Sequence, residues 1–222
     1  MFTSVILGAG KSTRMKANKS KLLFNIAGKP VINHILSSLK AAKAKHNICV
    51  INNSSAELKK ILQAEKISFA YQKILDGTAG AVKAALKLKK NSNSKILILC
   101  GDVPFITSNS IKKLVAKLKN HDAVVGTVEL ESPKGYGRIV RVNNKFSSIV
   151  EEKETTPDER QIREVNTGII AIQENVLRKY ISLIKNNNQK KEYYLTDIIK
   201  ILIDHDKKAV SYTHLRAHET VR

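Results

Sequence analysis

Four consecutive residues, Ile96 to Leu99, are large and aliphatic with no polar residue between them. A strand of that kind has both faces in a core, which is the situation of a parallel sheet covered by helices rather than of a half-solvated antiparallel one. Other short apolar runs, SVILG at 4–8 and NICVIN at 47–52, alternate with segments whose apolar residues recur at helical spacing, as at Val31, Ile32, Ile35, Leu36 and Leu39. The pattern predicts strands near 4–8, 47–52, 67–71 and 95–99, and helices over about 31–44, 56–64, 79–89 and 109–118. This is the rhythm of βαβ units. After Asp122 it changes: 123–130 reads as a strand, 135–137 as a tight loop, and 137–152 as a hairpin turning at Asn143 and Asn144. A polar loop over 155–162, a strand over 168–172, and helices over 174–184 and 195–204 complete the expectation. The fold class is therefore α/β, Rossmann-like, a mostly parallel sheet flanked by helices with a small antiparallel β insertion.

At 222 residues the chain has the length of one large domain, and no linker or internal repeat divides it. Cys49 and Cys100 each end an apolar run in a chain without a signal-peptide pattern, which suits buried thiols in a reducing compartment, the cytoplasm. No apolar stretch approaches the roughly 20 residues of a membrane helix. The formal charge of +20 nominally invites nucleic acid. The lysines, however, are scattered over many helical faces, aromatics are 5% of the chain, and no nucleic-acid motif is present. One asymmetry stands out: no Asp or Glu precedes Glu57, while Lys11, Arg14, Lys16, Lys19, Lys21 and Lys29 crowd the opening, so that end attracts an anion. From Val210 the sequence VSYTHLRAHETVR has no period and no kinship in composition with what precedes it. It resembles the translation of a sequencing-library transposase adapter, and 210–222 is set apart as a non-native tail, leaving 1–209 as the domain. His214 and His218, although four residues apart, are not taken as metal ligands.

Two segments carry chemistry. In LGAGKSTRM at 7–15 a buried strand feeds a turn whose Gly8 and Gly10 leave room for backbone N–H groups to approach a phosphate, with Lys11, Arg14 and Lys21 adding charge. It is not a P-loop, because Val5 stands where that motif needs its first glycine. A dinucleotide fingerprint is disfavoured too, since the third glycine and the acidic ribose ligand are missing. In ILILCGDVPFI at 97–106, Asp102 follows a buried strand at the end where α/β sheets put ligand chemistry, and a single carboxylate there suits Mg²⁺ shared with phosphates. Taken alone, an ordinary strand-to-helix turn and a turn-forming Asp explain these two segments as well.

The order LGAGKSTRM, Lys21, IAGKP, a loop over 72–78, GDVP, GYGRIVR, IVEEK, REVNTGI and EYYLTDII resembles bacterial N-acetylglucosamine-1-phosphate uridylyltransferases, the N-terminal half of a bifunctional enzyme, over roughly Ser4 to Leu202. The resemblance implies a sugar-nucleotidyltransferase that joins UTP to N-acetylglucosamine 1-phosphate, giving UDP-N-acetylglucosamine and pyrophosphate, with Mg²⁺ as cofactor. It implies that Leu7, Gly8, Ala9, Gly10, Cys100 and Gly101 hold the nucleotide, that Arg14 and Lys21 contact its phosphates as the catalytic cations, and that Gln72, Gly77 and Thr78 read the uracil. By the same resemblance Asp102 binds the metal and Gly137, Glu151 and Asn166 hold the acetamido sugar. Tyr193, Tyr194 and Thr196 are expected to pack and to cap the last helix, without a catalytic role. The sequence departs from the family at Ser12, Ser20 and Cys100, where the pattern has Gly, Pro and Tyr, and at Gly80, where it often has His. The family also draws a second metal-ligating Asn from beyond the last helix and oligomerises through an acetyltransferase half; neither is expected in this chain. A UTP or dTTP transferase acting on glucose 1-phosphate is the alternative within the class, and a basic nucleic-acid-binding module the alternative outside it.

Overall fold

A computed structural model describes residues 1–10, 20–52, 56–90 and 93–213. Strand β1 (Phe2–Leu7) lies between β4 (His46–Ile51) and β6 (Lys95–Cys100), parallel to both, with Val5 opposite Ile48 and Ile98. β5 (Ser68–Tyr71) extends the sheet beyond β4, again in parallel. Helices α1 (Val31–Ala41), α2 (Ala56–Ala64) and α3 (Thr78–Lys87) make the crossovers. The chain thus winds outward from β1 to β5 and then returns past β1 to β6, so the strand order reverses between β1 and β6. Open α/β sheets bind ligands in the crevice at such a reversal, outside the carboxyl ends of the strands.

The unbroken apolar runs have the expected cause. Val5, Ile96 and Ile98 pack into a core under α3, α5 (Glu174–Tyr180) and α6 (Asp197–Asp204), whereas Ile6, Leu97 and Leu99 pack into a second core under α1, α2 and α4 (Ser108–Lys117). Successive side chains of a strand point to opposite faces, so both faces have to be apolar. After α4 (Ser108–Lys117), capped by the Thr107 hydroxyl, come β7 (Ala123–Glu129), the hairpin β8 (Arg138–Val142) and β9 (Lys145–Val150), and β10 (Glu164–Gln173). β10 inserts antiparallel between β6 and β7, and β8 joins it through Val165 and Arg138. The hairpin turns at Asn143 and Asn144, both at positive φ, as a tight two-residue turn requires. A second such turn, Ala27 and Gly28, closes the small ribbon of β2 (Asn25–Ile26) and β3 (Lys29–Pro30).

Several boundaries differ from expectation. α1 ends three residues early because Lys43 takes a positive φ, and the helix expected over 174–184 is α5 (Glu174–Tyr180) followed by a 3-10 turn, Ile181–Leu183. β10 begins four residues before Gly168 and is interrupted by an irregularity between Asn166 and Ile169, which removes the alternation that would have marked it. α6 (Asp197–Asp204) is followed by β11 (Ala209–Tyr212), parallel to β7 at the sheet edge. Val210, Ser211 and Tyr212 are thus part of the sheet although their sequence carries no period: a parallel edge pairing is made by backbone groups, and Tyr212 is buried at its end.

Candidate active site

The reversal point is built around Leu22. Leu22 is fully buried in the turn Lys21–Leu23 that precedes β2. A Cβ on Gly8 would lie 2.5 Å from one Leu22 methyl, and a Cβ on Gly101 2.6 Å from the other. Gly8 and Gly101 are therefore glycines so that Leu22 can wedge between the carboxyl ends of β1 and β6. This adds a reason for Gly8 that the motif did not show, the approach of Leu22 and the Val50 carbonyl, whereas a Cβ on Gly10 would meet nothing within 4 Å among the described residues. Backbone bonds from Gly8 to the Val50 carbonyl and from Gly101 to the Leu7 carbonyl fix both turns, and Asn52 Nδ2 donates to the Ala9 carbonyl. With Leu22 pinned, Lys21 projects beside β6, where its Nζ meets Asp102 Oδ2 at 2.9 Å, both side chains being about a quarter exposed (27% and 28%). Cys100, half-buried and in no disulfide among the described residues, is the last residue of β6. Arg14 and Lys11 lie outside the described residues.

A second group stands at the end of β5. Gln72 is buried, and its Nε2 donates to Asp76 Oδ1 at 3.0 Å and to the Gly77 carbonyl at 2.9 Å. Gly77 has φ +116°, and a Cβ there would meet the Tyr193 backbone at 2.5 to 2.9 Å, so glycine is required on both counts. The loop is clamped by the segment before α6: Tyr193 N–H donates to the Asp76 carbonyl, Ala79 N–H to the Tyr193 carbonyl, and Leu195 N–H to Thr78 Oγ1. Thr78 is exposed and keeps its hydroxyl proton to donate.

A third group gathers on the antiparallel strands. Asn166 N–H donates to the Gly137 carbonyl at 2.8 Å, and the Glu151 carboxyl lies 3.7 Å from where a Gly137 Cβ would stand. Asn166 is buried, with Oδ1 accepting from Gly168 N–H. Thr196 sits at the start of α6 but does not cap it: its hydroxyl donates to Glu151 Oε1 at 2.9 Å. Sequence reasoning missed this contact, since nothing local links residues 45 apart. Arg138, 2% exposed, pairs with Glu152 at 2.7 Å and donates to the Tyr136 carbonyl, tying the hairpin to the loop after β9. The surroundings are acidic: burial, Glu151 and Glu154 push the Asp197 carboxyl up to about 6. Residues 193–196 thus touch both the Gln72 loop and Glu151, which makes them a strut between the second and third groups.

The residues 4–161 match the family model of the MobA-like NTP transferase domain. The chain belongs to that family. Over 213 residues it is 41% identical to the bifunctional protein GlmU of Francisella tularensis subsp. novicida (strain U112), covering 95% of this chain and 46% of the relative, and the same holds for subsp. holarctica (strain OSU18). The chain therefore spans about half the length of the curated relatives it matches. The fold is that of solved nucleotidyltransferases. A structure described as a glucose-1-phosphate thymidylyltransferase from Bacillus anthracis superposes with TM-score 0.77 at 18% identity, covering 98% of this chain and 90% of that one. UDP-glucose pyrophosphorylase complexed with UDP-glucose gives 0.73 at 17%, covering 96% and 90%. Among the described residues no helix is long and apolar enough to cross a membrane.

Proposed function

We propose that this NTP transferase domain is a uridylyltransferase acting on N-acetylglucosamine 1-phosphate, working in the cytoplasm. The observation that carries the proposal is the order of the three groups across the sheet: a buried amide loop at the end of β5, the Lys21–Asp102 pair at the β1/β6 reversal, and the Gly137–Glu151–Asn166 cluster on the antiparallel strands. A base, a phosphate chain and a sugar follow one another in the same order in a nucleotide sugar. The likeness to GlmU over 95% of the chain supports the same assignment.

The donor chemistry fits a metal of the Mg²⁺ kind. Among the described residues no set of three or more His, Cys, Asp or Glu side chains could hold an ion, so there is no all-protein cage. Asp102 is a single hard oxygen ligand at the phosphate end, which is how Mg²⁺ is held together with substrate phosphates. When bound, the ion neutralises charge on the α-phosphate and on the departing pyrophosphate. The rest is work for the chain. An oxygen of the sugar 1-phosphate, ionised at neutral pH, attacks the α-phosphorus of UTP; the new P–O bond forms as the bond to the β-phosphate breaks in line, and pyrophosphate leaves with the electron pair. No general base is needed, so Lys21 acts by position and charge, together with Arg14. Gln72 and Thr78 face the base, with Gly77 holding the loop, and Glu151 accepts from sugar hydroxyls while Gly137 and Asn166 flank it.

Pyrophosphate release from UTP, measured with N-acetylglucosamine 1-phosphate and with glucose 1-phosphate, tests the assignment. We expect turnover with the first at least tenfold above the second, and a fall in kcat of about a hundredfold in Lys21→Ala, on the scale of a lost transition-state donor. Equal use of both sugars would move the chain to the glucose 1-phosphate class.

A further inference from the structure

We infer that Asp76 fixes the orientation of the Gln72 amide and thereby sets the chain's preference for a base with an N3–H, an inference that rests on the uridylyltransferase assignment. Both partners of Gln72 Nε2, the Asp76 carboxylate at 3.0 Å and the Gly77 carbonyl at 2.9 Å, can only accept. The amide therefore has one allowed orientation, with both N–H groups used and Oε1 turned away from them. Among the described residues no donor reaches Oε1, although the side chain is buried. What is presented outward is an acceptor. The N3–H of uracil, or of thymine, satisfies it; the N3 of cytosine, which bears a lone pair, opposes it.

Gly80 shows that the arrangement is built. It lies inside α3, where glycine is a poor helix former, and nothing about its φ requires it. A Cβ at this position would stand 1.8 Å from Asp76 Oδ1 and 2.6 Å from its Cγ. The space at position 80, where the family pattern often has His, is occupied by the Asp76 carboxylate. Asp76 and Gly80 thus form a matched pair whose one side-chain hydrogen bond among the described residues runs to Gln72. The Gly77 carbonyl by itself leaves the amide freer, since one partner holds one N–H and a rotated amide can trade that bond for a contact with a bound base.

The test is a panel of UTP, dTTP and CTP titrated by calorimetry into the wild type, Asp76→Ala, Asp76→Asn and Gly80→Ala. The wild type is expected to favour UTP over CTP by at least about tenfold, the size of one opposed polar pair. In Asp76→Ala the ratio falls to within about threefold, by weaker UTP and stronger CTP binding, while dTTP follows UTP. Gly80→Ala, whose methyl group displaces the carboxylate, behaves in the same way although its helix propensity improves and its Tm does not fall. Asp76→Asn, which can still accept through its own carbonyl, keeps most of the preference. If the wild type prefers UTP and both Asp76→Ala and Gly80→Ala retain the full ratio, the inference is wrong and the uridylyltransferase assignment stands. If the wild type shows no preference for UTP over CTP, both are overturned.

Discussion

The two halves of the sheet hold their candidate site residues by different means. In the parallel half, Lys21, Gln72 and Asp102 lie in turns beyond strand ends, and what positions them is close packing: Leu22 wedged against Gly8 and Gly101, and Gly77 pressed on the Tyr193 backbone. In the antiparallel half, Gly137, Glu151 and Asn166 stand at the ends of paired strands, and what positions them is register together with charge, above all the buried Arg138. The first half should therefore be sensitive to added volume and the second to lost charge.

The largest effect is expected in the second half. Arg138→Ala leaves a cavity, a carboxylate without its partner and a carbonyl without its donor, and should cost about 3 to 5 kcal/mol, the range for breaking a buried ion pair. Denaturant unfolding measures it. A loss under about 1 kcal/mol would mean that register alone holds the hairpin. In the parallel half, Gly8→Ala adds one methyl group against Leu22 and should cost about 1 to 3 kcal/mol, as overpacking does; because Leu22 adjoins Lys21, kcat should fall as well, which separates this variant from a purely structural one. Smaller again is Thr196→Val, which removes the bond to Glu151 across the strut and should cost about 1 kcal/mol while raising KM for the sugar phosphate more than it lowers kcat.

The pH dependence sharpens the same contrast. For Glu174 of α5, burial works to raise the pKa, but hydrogen bonds from Lys89, Ser94 and Arg178 prevail and hold the carboxyl at about 2. Its folded value lies below its unfolded one, so its contribution is complete above about pH 4.5 and is lost as the pH falls toward 2. Asp197 has the opposite sign. Its folded value of about 6 lies above the usual carboxylate range, so its charge opposes folding increasingly as the pH rises from about 4 through 6. Asp197→Asn should therefore gain in Tm relative to wild type between pH 4 and pH 7, and a constant difference would show that burial, Glu151 and Glu154 together do not raise its pKa in the folded state.

This contrast also explains what the sequence displayed. The parallel strands were legible because burial on both faces writes itself as unbroken apolar runs, and the hairpin because Asn143–Asn144 suits a turn with positive φ. The start of β10 was not, because the irregularity after Asn166 interrupts the alternation, and β11 was not, because edge pairing through the backbone leaves no mark in side chains. Within the site, Asp102 and the glycine turns were visible as local motifs. The reason for Gly8 was not, since it depends on Leu22 fourteen residues away, and neither was the strut from Tyr193 to Thr196, whose partners at 76–79 and 151 are joined to it only by the fold.

The most direct test of the central claim is to titrate UDP-N-acetylglucosamine and UDP-glucose into the protein by calorimetry with Mg²⁺ present, since on the proposed function a nucleotide sugar would occupy all three groups at once. We predict saturable binding of UDP-N-acetylglucosamine at least tenfold tighter than that of UDP-glucose, and loss of that difference in Asn166→Ala. A folded protein that binds neither nucleotide sugar would contradict the account.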